Sequence, residues 1–505
     1  MLTLSMIVKN EEKYLKECLS SVAGIADEIV IVDTGSTDKT LEIARQFNCR
    51  IFSFDWINDF SAARNYSLSK ATGDWILYLD ADERLTEKSK EAVNRITEQP
   101  GKTAALCIVN SVDEFKEQPQ IMKYIRLFAN TPGIGFTGRV HEQIEESLTK
   151  NNYNIIDTDI EILHIGYNVP QNEINEKAKR NLSILEAEYK NNTNSYYAYQ
   201  LANTYAILAD EEKAYKYYTI ATNDNKLPAE YRVYAYMNMA DNELISGKTE
   251  AAEKNALNGI KLLPNNTLIN LIASQVYLRK NNFESALKYC RKAYDENNKL
   301  LKEKAFSKIM NVIINPLKII YHGLYISLIA GKPDVFKYYL AELRSHAEKT
   351  PKQKIKIQVQ FIDALLTNRQ ISNNDMANYC AVIDVNNLLF FLMLLKKHQN
   401  KKMVGGILEG IKDQFMKNAK FLSAYGLILL ELEKYADAEE ILKLGINVKD
   451  KDPATFFYLI SLYVQQQKYD ELGDVINQAE EEFKDFEELR DKINMLKTKL
   501  RTLVK

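Results

Sequence analysis

The sequence predicts an α/β domain followed by an all-α one: a Rossmann-like layer over residues 1–170, a linking helix over 171–193, and a helical-repeat domain over 194–505. Two observations carry this. Over the first 110 residues, short continuous apolar runs alternate with segments of helical period, the mark of parallel strands joined by crossover helices. Beyond Pro170 glycine becomes sparse, the strand pattern stops, and the sequence begins to match itself at a displacement of 34 residues.

Taken in order, Leu2 to Val8 is the first apolar run. Leu15, Cys18, Leu19 and Val22 then recur at i, i+3, i+4 and i+7, with Asn10 as the expected cap and Glu11 and Glu12 in the first turn. Glu28 to Val32 is the second strand and ends at Asp33, after which Ser36 is expected to cap a helix carrying Leu41, Ala44 and Phe47. Arg50 to Phe54 is the third strand, Asp59 to Ala71 a helix, and Trp75 to Leu79 a fourth strand that stops at Asp80, Ala81 and Asp82. Shorter β segments follow at Ala104 to Val109, Met122 to Phe128 and Ile155 to Ile165, with glycine-bearing turns at Gly133, Gly135 and Gly138; these predict an antiparallel extension of the sheet.

In the helical half, Thr249-Glu-Ala-Ala252 aligns with Phe283-Glu-Ser-Ala286, and Tyr435-Ala-Asp-Ala438 with Tyr469-Asp-Glu-Leu472, both at the tetratricopeptide period. Small and aromatic positions recur with them: Ala202 and Tyr205, Ala273 and Tyr277, Tyr425 and Gly426. The match is good over 194–298 and 418–486. Residues 299–417 are divergent and read as helical without assigned repeats; generic amphipathic helices are the other reading.

Composition narrows the function. A chain of 505 residues with 46% apolar and 27% charged residues is long enough for two or three buried cores. A formal charge of −2 gives no excess of cation for coating nucleic acid or anionic lipid. The five cysteines, at 18, 49, 107, 290 and 380, lack the paired spacing of a zinc site or redox couple and fit a reducing cytoplasm. The start of the chain reads as a strand, with no export signal. Val312 to Ala330 is broken by polar residues and Leu388 to Leu395 is too short to span a bilayer, so both read as buried helices. Richness in lysine, asparagine and isoleucine hints at an AT-rich bacterial genome.

In an open parallel sheet, ligands gather at the carboxyl ends of strands, and Asp33, Asp80 and Asp82 all close strands there. Carboxylates one residue apart can share a hard divalent ion that also grips a diphosphate, neutralising charge on the departing nucleotide. Asp-X-Asp alone more often marks a solvated turn or helix cap; its place at the end of a buried strand gives it weight. His164, after a strand and before Gly166 and Tyr167, is a candidate further metal ligand, a structural histidine being the equal reading. Glu142, beside His141 in GRVHEQI, is a candidate base, against a surface acid in a loop. Arg64 carries a fixed charge toward the same end of the sheet and pairs with phosphate or stays solvated on its helix.

Together, MIVKNEEKYLKECLSSV, EIVIVDTGSTDKT, DFSAARNYSLSKATGDWILYLDADE, GFTGRVHEQI and LHIGY resemble family 2 glycosyltransferases of the GT-A fold over roughly residues 1–190. With the repeat tail, the chain resembles the peptide-modifying transferases of the sublancin glycosyltransferase type. The resemblance implies an inverting single displacement from a nucleotide sugar, most simply a UDP-sugar, with Mn2+ or Mg2+. It implies that Asp33 contacts the nucleoside and Arg64 the diphosphate side of the donor, with Glu11 also on the donor side. It implies further that Asp80 and Asp82 meet sugar-nucleotide and metal, that His164 adds a metal contact, and that Glu142 is the base. The acidic pair many members use as base is not evident, and the role falls on Glu142 by position. No membrane helices of the kind carried by processive synthases are present in the sequence, so a soluble peptide or protein acceptor on Ser, Thr or Cys is expected, held by the repeats. The alternatives are extension of a lipid-linked or surface glycan, the repeats serving for docking, and a non-catalytic scaffold. Self-association of the repeats into a homodimer is a further expectation.

Overall fold

Buried apolar runs become the middle of a sheet because only strands covered on both faces tolerate them. The computed structural model describes residues 1–111, 120–165, 171–303, 311–349, 353–449, 451–484 and 487–503. In the first part of the chain the elements are β1 (Leu2–Val8), α1 (Leu15–Ser21), β2 (Glu28–Asp33), α2 (Thr40–Arg45), β3 (Arg50–Ser53), α3 (Phe60–Lys70), β4 (Trp75–Tyr78), β5 (Glu83–Leu85), α4 (Lys90–Thr97), β6 (Thr103–Ser111), β7 (Gln120–Ala129), α5 (Glu145–Lys150) and β8 (Asn154–His164). Helices α6 (Gln171–Asn191), α7 (Ser195–Ile207), α8 (Glu211–Asn223), α9 (Ala229–Ile245), α10 (Thr249–Leu262), α11 (Thr267–Arg279) and α12 (Phe283–Glu303) follow, and then the short strand β9 (Asn311–Val312).

The described strands form one sheet in the order β3-β2-β1-β4-β7-β6-β8-β5, with β9 pairing to β7. β3, β2, β1 and β4 are parallel, as predicted. Because β2 and β4 flank β1, Asp33 at the last position of β2 and Asp80 just after β4 stand at the carboxyl ends of the two strands beside it.

Four local expectations change. The extension is mixed, not antiparallel throughout: β7 runs antiparallel to β4 and β6, but β8 returns through α5 and pairs parallel to β6. The strand β5 and helices α4 and α5 lie in stretches to which no element was assigned. Asn10 does not cap α1; it sits at φ 57°, accepts from the Thr37 amide at 2.7 Å, and gives its own amide to Ser36 Oγ at 2.9 Å. Ser36 is thereby used between two loops, and the first turn of α2 is served instead by Asp38, which accepts from the Thr40 amide at 2.9 Å. The tie between the β1–α1 and β2–α2 loops extends to the Glu11 amide on Thr40 Oγ1 at 2.7 Å and the Glu12 amide on Asp38 at 3.1 Å.

The chain forms two compact units. One comprises Met1–Asn242, Glu250–Ala273 and Asp295–Asn315; the other comprises Glu243–Thr249, Ser274–Tyr294 and Pro316–Lys505. The second continues with α13 (Pro316–Ile329), α14 (Pro333–Lys349), α15 (Gln353–Leu366), α16 (Asn373–Cys380), α17 (Leu388–Lys397), α18 (Lys401–Phe415), α19 (Ala419–Glu431), α20 (Tyr435–Asn447), α21 (Pro453–Gln466), α22 (Tyr469–Glu482) and α23 (Glu487–Leu503). The four tetrads aligned at 34 residues are the first turns of α10, α12, α20 and α22, so the period marks the start of each second helix of a pair.

One turn recurs between paired helices. Ala209, Gly247, Asn281, Gly331 and Glu433 take left-handed φ of 59°, 74°, 57°, 61° and 57°, and Gln467 follows at 56°. In each case the next amide bonds the carbonyl five residues back, as in Asp210 N to Tyr205 O at 3.0 Å and Lys468 N to Tyr463 O at 2.9 Å. This closes the orphan carbonyls of the first helix and reverses the chain. Side-chain caps reinforce several starts: Asn194, Asp210 and Asn418 accept from the amides of Tyr197, Lys213 and Phe421. Gly426 lets α19 approach α20 closely, since a Cβ there would collide with Leu442. Among the described residues no helix is long and apolar enough to cross a membrane.

Candidate active site

The site is built from α3 upward. Asp59 caps the helix by accepting from the Ala62 amide at 2.9 Å, and two further side chains of the first turns clamp the loop at 136–143. Ser61 Oγ donates to Gly138 O at 2.5 Å, while Asn65 donates to Phe136 O at 2.9 Å and accepts from the Phe136 amide at 2.7 Å. Arg64, between them on the helix, is thereby aimed at that loop. Its Nε meets Glu142 Oε1 at 2.5 Å and its Nη2 meets Asp80 Oδ1 at 2.7 Å. The guanidinium also lies over the rings of Tyr78 and Phe136, at 5.2 and 5.6 Å. Arg64 and Glu142, 78 residues apart, are thus brought together with the half-exposed Asp80 in one cluster.

A second arginine, which the sequence reading did not single out, completes it. Arg126 on β7 pairs with Glu83 at 2.6 Å, reaches Asp80 Oδ2 at 3.6 Å, and lies 4.6 Å from the Tyr78 ring centre on that ring's face. Burial alone would raise the Asp80 carboxyl, but the two arginines hold it well below the ordinary carboxylate range. Asp80 therefore stays ionised. Glu83, fully buried, also accepts from the Asp80 amide at 2.9 Å and so fixes the turn that carries the acidic motif. The only signals were local: Glu83 directly follows Asp82, and Arg126, like Lys123, is a cation in a strand rich in apolar residues.

Asp82 and His164 also meet. Asp82 Oδ2 lies 3.3 Å from His164 Nε2, and the other ring nitrogen lies 3.2 Å from Ser111 Oγ, which orients the imidazole. The His164 pKa is pulled down by burial but raised on balance by Asp82 beside it. Gly166 and Tyr167, which follow His164, lie outside the described residues. Among the described residues no group of three His, Cys, Asp or Glu is arranged to hold a metal. The pair supplies one oxygen and one nitrogen donor, which fits a divalent ion completed by diphosphate oxygens and water, as hard cations bound through one or two protein ligands commonly are.

Glu11 lies in the loop after β1, and Asp33 ends β2, the strand across β1 from β4. Burial, reinforced by Asp82 and Asp80, raises the Glu11 carboxyl to about 7. Asp33 is buried and accepts from the Gly35 and Ser36 amides at 3.2 and 3.1 Å, which rigidifies the β2–α2 loop.

Next to the Asp80 cluster is a cavity of about 460 Å³, whose lining includes Arg64, Asp80, Glu142 and His164 together with Tyr196, Tyr199 and Tyr231 of α7 and α9. Both sets belong to the first compact unit.

Residues 3–154 match the family described as glycosyl transferase family 2. A TPR repeat-containing protein of Synechococcus elongatus is 39% identical over 146 residues, which are 29% of this chain and 36% of that protein. The SPbeta prophage-derived glycosyltransferase SunS of Bacillus subtilis is 32% identical over 187 residues, 37% of this chain and 44% of SunS. The chain thus spans less than half the length of these curated relatives. S. aureus TarS 1–349 in complex with UDP-GlcNAc aligns over 62% of this chain and 97% of that one, with 16% identity and a TM-score of 0.28, too slight a likeness to carry weight.

Proposed function

We propose that this chain is an inverting, metal-dependent glycosyltransferase that moves a sugar from a UDP-sugar to a Ser, Thr or Cys side chain of a peptide or protein. In this reading residues 1–170 bind the donor, 171–193 link, and 194–505 hold the acceptor. The observation that carries it is the meeting of Asp82 with His164 beside the Arg64–Asp80–Glu142 cluster, within the stretch that matches family 2.

Asp82 and His164 would hold Mn2+ or Mg2+, which when bound neutralises charge on the departing diphosphate. Asp33 and Glu11 take the nucleoside side of the donor, and Asp80, kept ionised by its arginines, faces the sugar-nucleotide. Arg64 acts from beneath, its charge reaching the diphosphate side through Asp80. The acceptor oxygen or sulfur attacks the anomeric carbon as the bond from that carbon to the diphosphate oxygen breaks. The acceptor proton passes to the carboxylate of Glu142, whose Oε1 is engaged by Arg64. Attack and departure on opposite faces invert the centre with no covalent enzyme intermediate.

The test is incubation with UDP-sugars and manganese in the presence of peptides and lipid-linked glycans, read by intact mass. Addition of one sugar mass to a polypeptide is expected. Donor turnover that extends only the glycan would overturn the acceptor assignment, and absence of any donor turnover would overturn the enzyme reading.

A further inference from the structure

The cavity next to the Asp80 cluster carries more than a location. Its volume of about 460 Å³ is that of a ligand site rather than a packing defect. The part of the lining contributed by α7 and α9 is aromatic: the ring centres of Tyr196 and Tyr231 are 5.6 Å apart and those of Tyr199 and Tyr231 5.1 Å apart, in edge and tilted arrangements. Gln143 donates to the Tyr196 hydroxyl at 3.3 Å, and Gln200 and Asn203 add amides to the lining.

Charge in this lining is already committed. Three cations line the cavity, Arg64, Lys123 and Arg126, against four carboxylates, Asp80, Glu83, Glu142 and Glu145. Arg64 is held by Asp80 and Glu142, Arg126 by Glu83 at 2.6 Å, and Lys123 by Asp157 at 2.6 Å. His164 is shared with Asp82. Away from the ion that would hold the donor diphosphate, a phosphate on the acceptor would have to break one of these pairs or stay unpaired beside carboxylates, and both are costly in a shielded site. Tyrosine faces and side-chain amides, by contrast, bind uncharged groups at little desolvation cost.

We propose that this cavity is the acceptor subsite, built for an unphosphorylated polypeptide segment that tyrosine faces and amides recognise, with no described cation left to receive a phosphate. The proposal rests on the transferase reading above and specifies its acceptor.

The experiment uses the full chain with a UDP-sugar, manganese and a pool of decapeptides centred on Ser, Thr or Cys, each paired with a version carrying phosphoserine next to the acceptor residue. Transfer is read by competition and intact mass. The unmodified peptides should win at least tenfold in kcat/KM. Gln200→Lys, which brings an uncommitted cation to the lining, should narrow that ratio at least threefold, and Gln200→Glu should widen it. Tyr199→Leu should raise KM for the peptide while manganese-dependent UDP binding stays within twofold. Equal use of both peptide versions, or a ratio indifferent to both Gln200 variants, would overturn this inference and leave the transferase reading standing. Donor turnover with transfer only to a pyrophosphate-linked glycan would overturn the peptide assignment and this inference together.

Discussion

The two walls of the cavity follow different rules. The wall made by α3, β4 and β7 holds charges that neutralise one another: Arg64 and Arg126 are each tied to two carboxylates and pack on the face of Tyr78. The wall made by α7 and α9 holds rings and amides, and its tyrosines pack on one another. A charged wall is rigid because each member is uncompensated if its partner goes. An aromatic wall tolerates loss of a hydroxyl because most of its contact is the ring. On the function proposed above, the charged side would do the chemistry and the aromatic side would select the acceptor.

Substitutions should separate the walls in a graded way. Asp82→Ala has the largest expected effect: transfer should fall at least about a thousandfold if the ion is lost, while the circular dichroism spectrum stays that of the parent. Near-normal turnover would remove Asp82 from the chemistry.

Arg64→Leu comes next, because it leaves the largely buried Glu142 without its cation and Asp80 with Arg126 alone. Unfolding by denaturant should show a loss of roughly 3 kcal/mol. On the other wall, Tyr199→Phe should cost no more than about 1 kcal/mol. A comparable loss in both variants would erase the distinction between the walls.

Glu28 offers a control at the amino end of β2, away from the site. Burial works against its charge, but hydrogen bonds from Thr3 Oγ1, the Thr72 amide and hydroxyl, and Arg50 bring its pKa down to about 2. A depressed folded pKa contributes stability above the unfolded value of 4.5 that is lost as pH falls toward about 2. Glu28→Gln should therefore lower stability by roughly 2 kcal/mol at pH 7 and flatten the acid limb between those values. An unchanged acid limb would contradict the assignment. The smallest effect belongs to the helix-pair turn: Gln467→Gly relieves a left-handed residue but loosens the unfolded chain, so stability should move by no more than about 0.5 kcal/mol in thermal melts.

What the sequence revealed follows the same division. β1 was expected over Leu2–Val8 and lies there, and the other parallel strands differ by a residue at one end, because continuous apolar runs leave a buried strand little choice. Acids at strand ends were legible for the same reason. Glu83 and Arg126 each left a local signal, but their pairing was not legible, since it joins residues 43 apart. The tyrosine wall was legible only as helix-face aromatics; nothing in local spacing tells a core tyrosine from one facing a cavity. Asn10 and Ser36 were misread because each served a loop from another unit of the sheet rather than its own helix. The repeat period was visible in the first turns of the second helices, whereas three of the recurring turns use Ala209, Glu433 and Gln467, residues that carry no left-handed signature.

The central claim is that Asp82 and His164 share a divalent ion with the donor diphosphate. Calorimetric titration of UDP into the parent and the Asp82→Ala variant, each with and without manganese, tests it most directly. Tight binding only in the parent, and only with manganese, is the predicted result; equal affinity in all four titrations would contradict it.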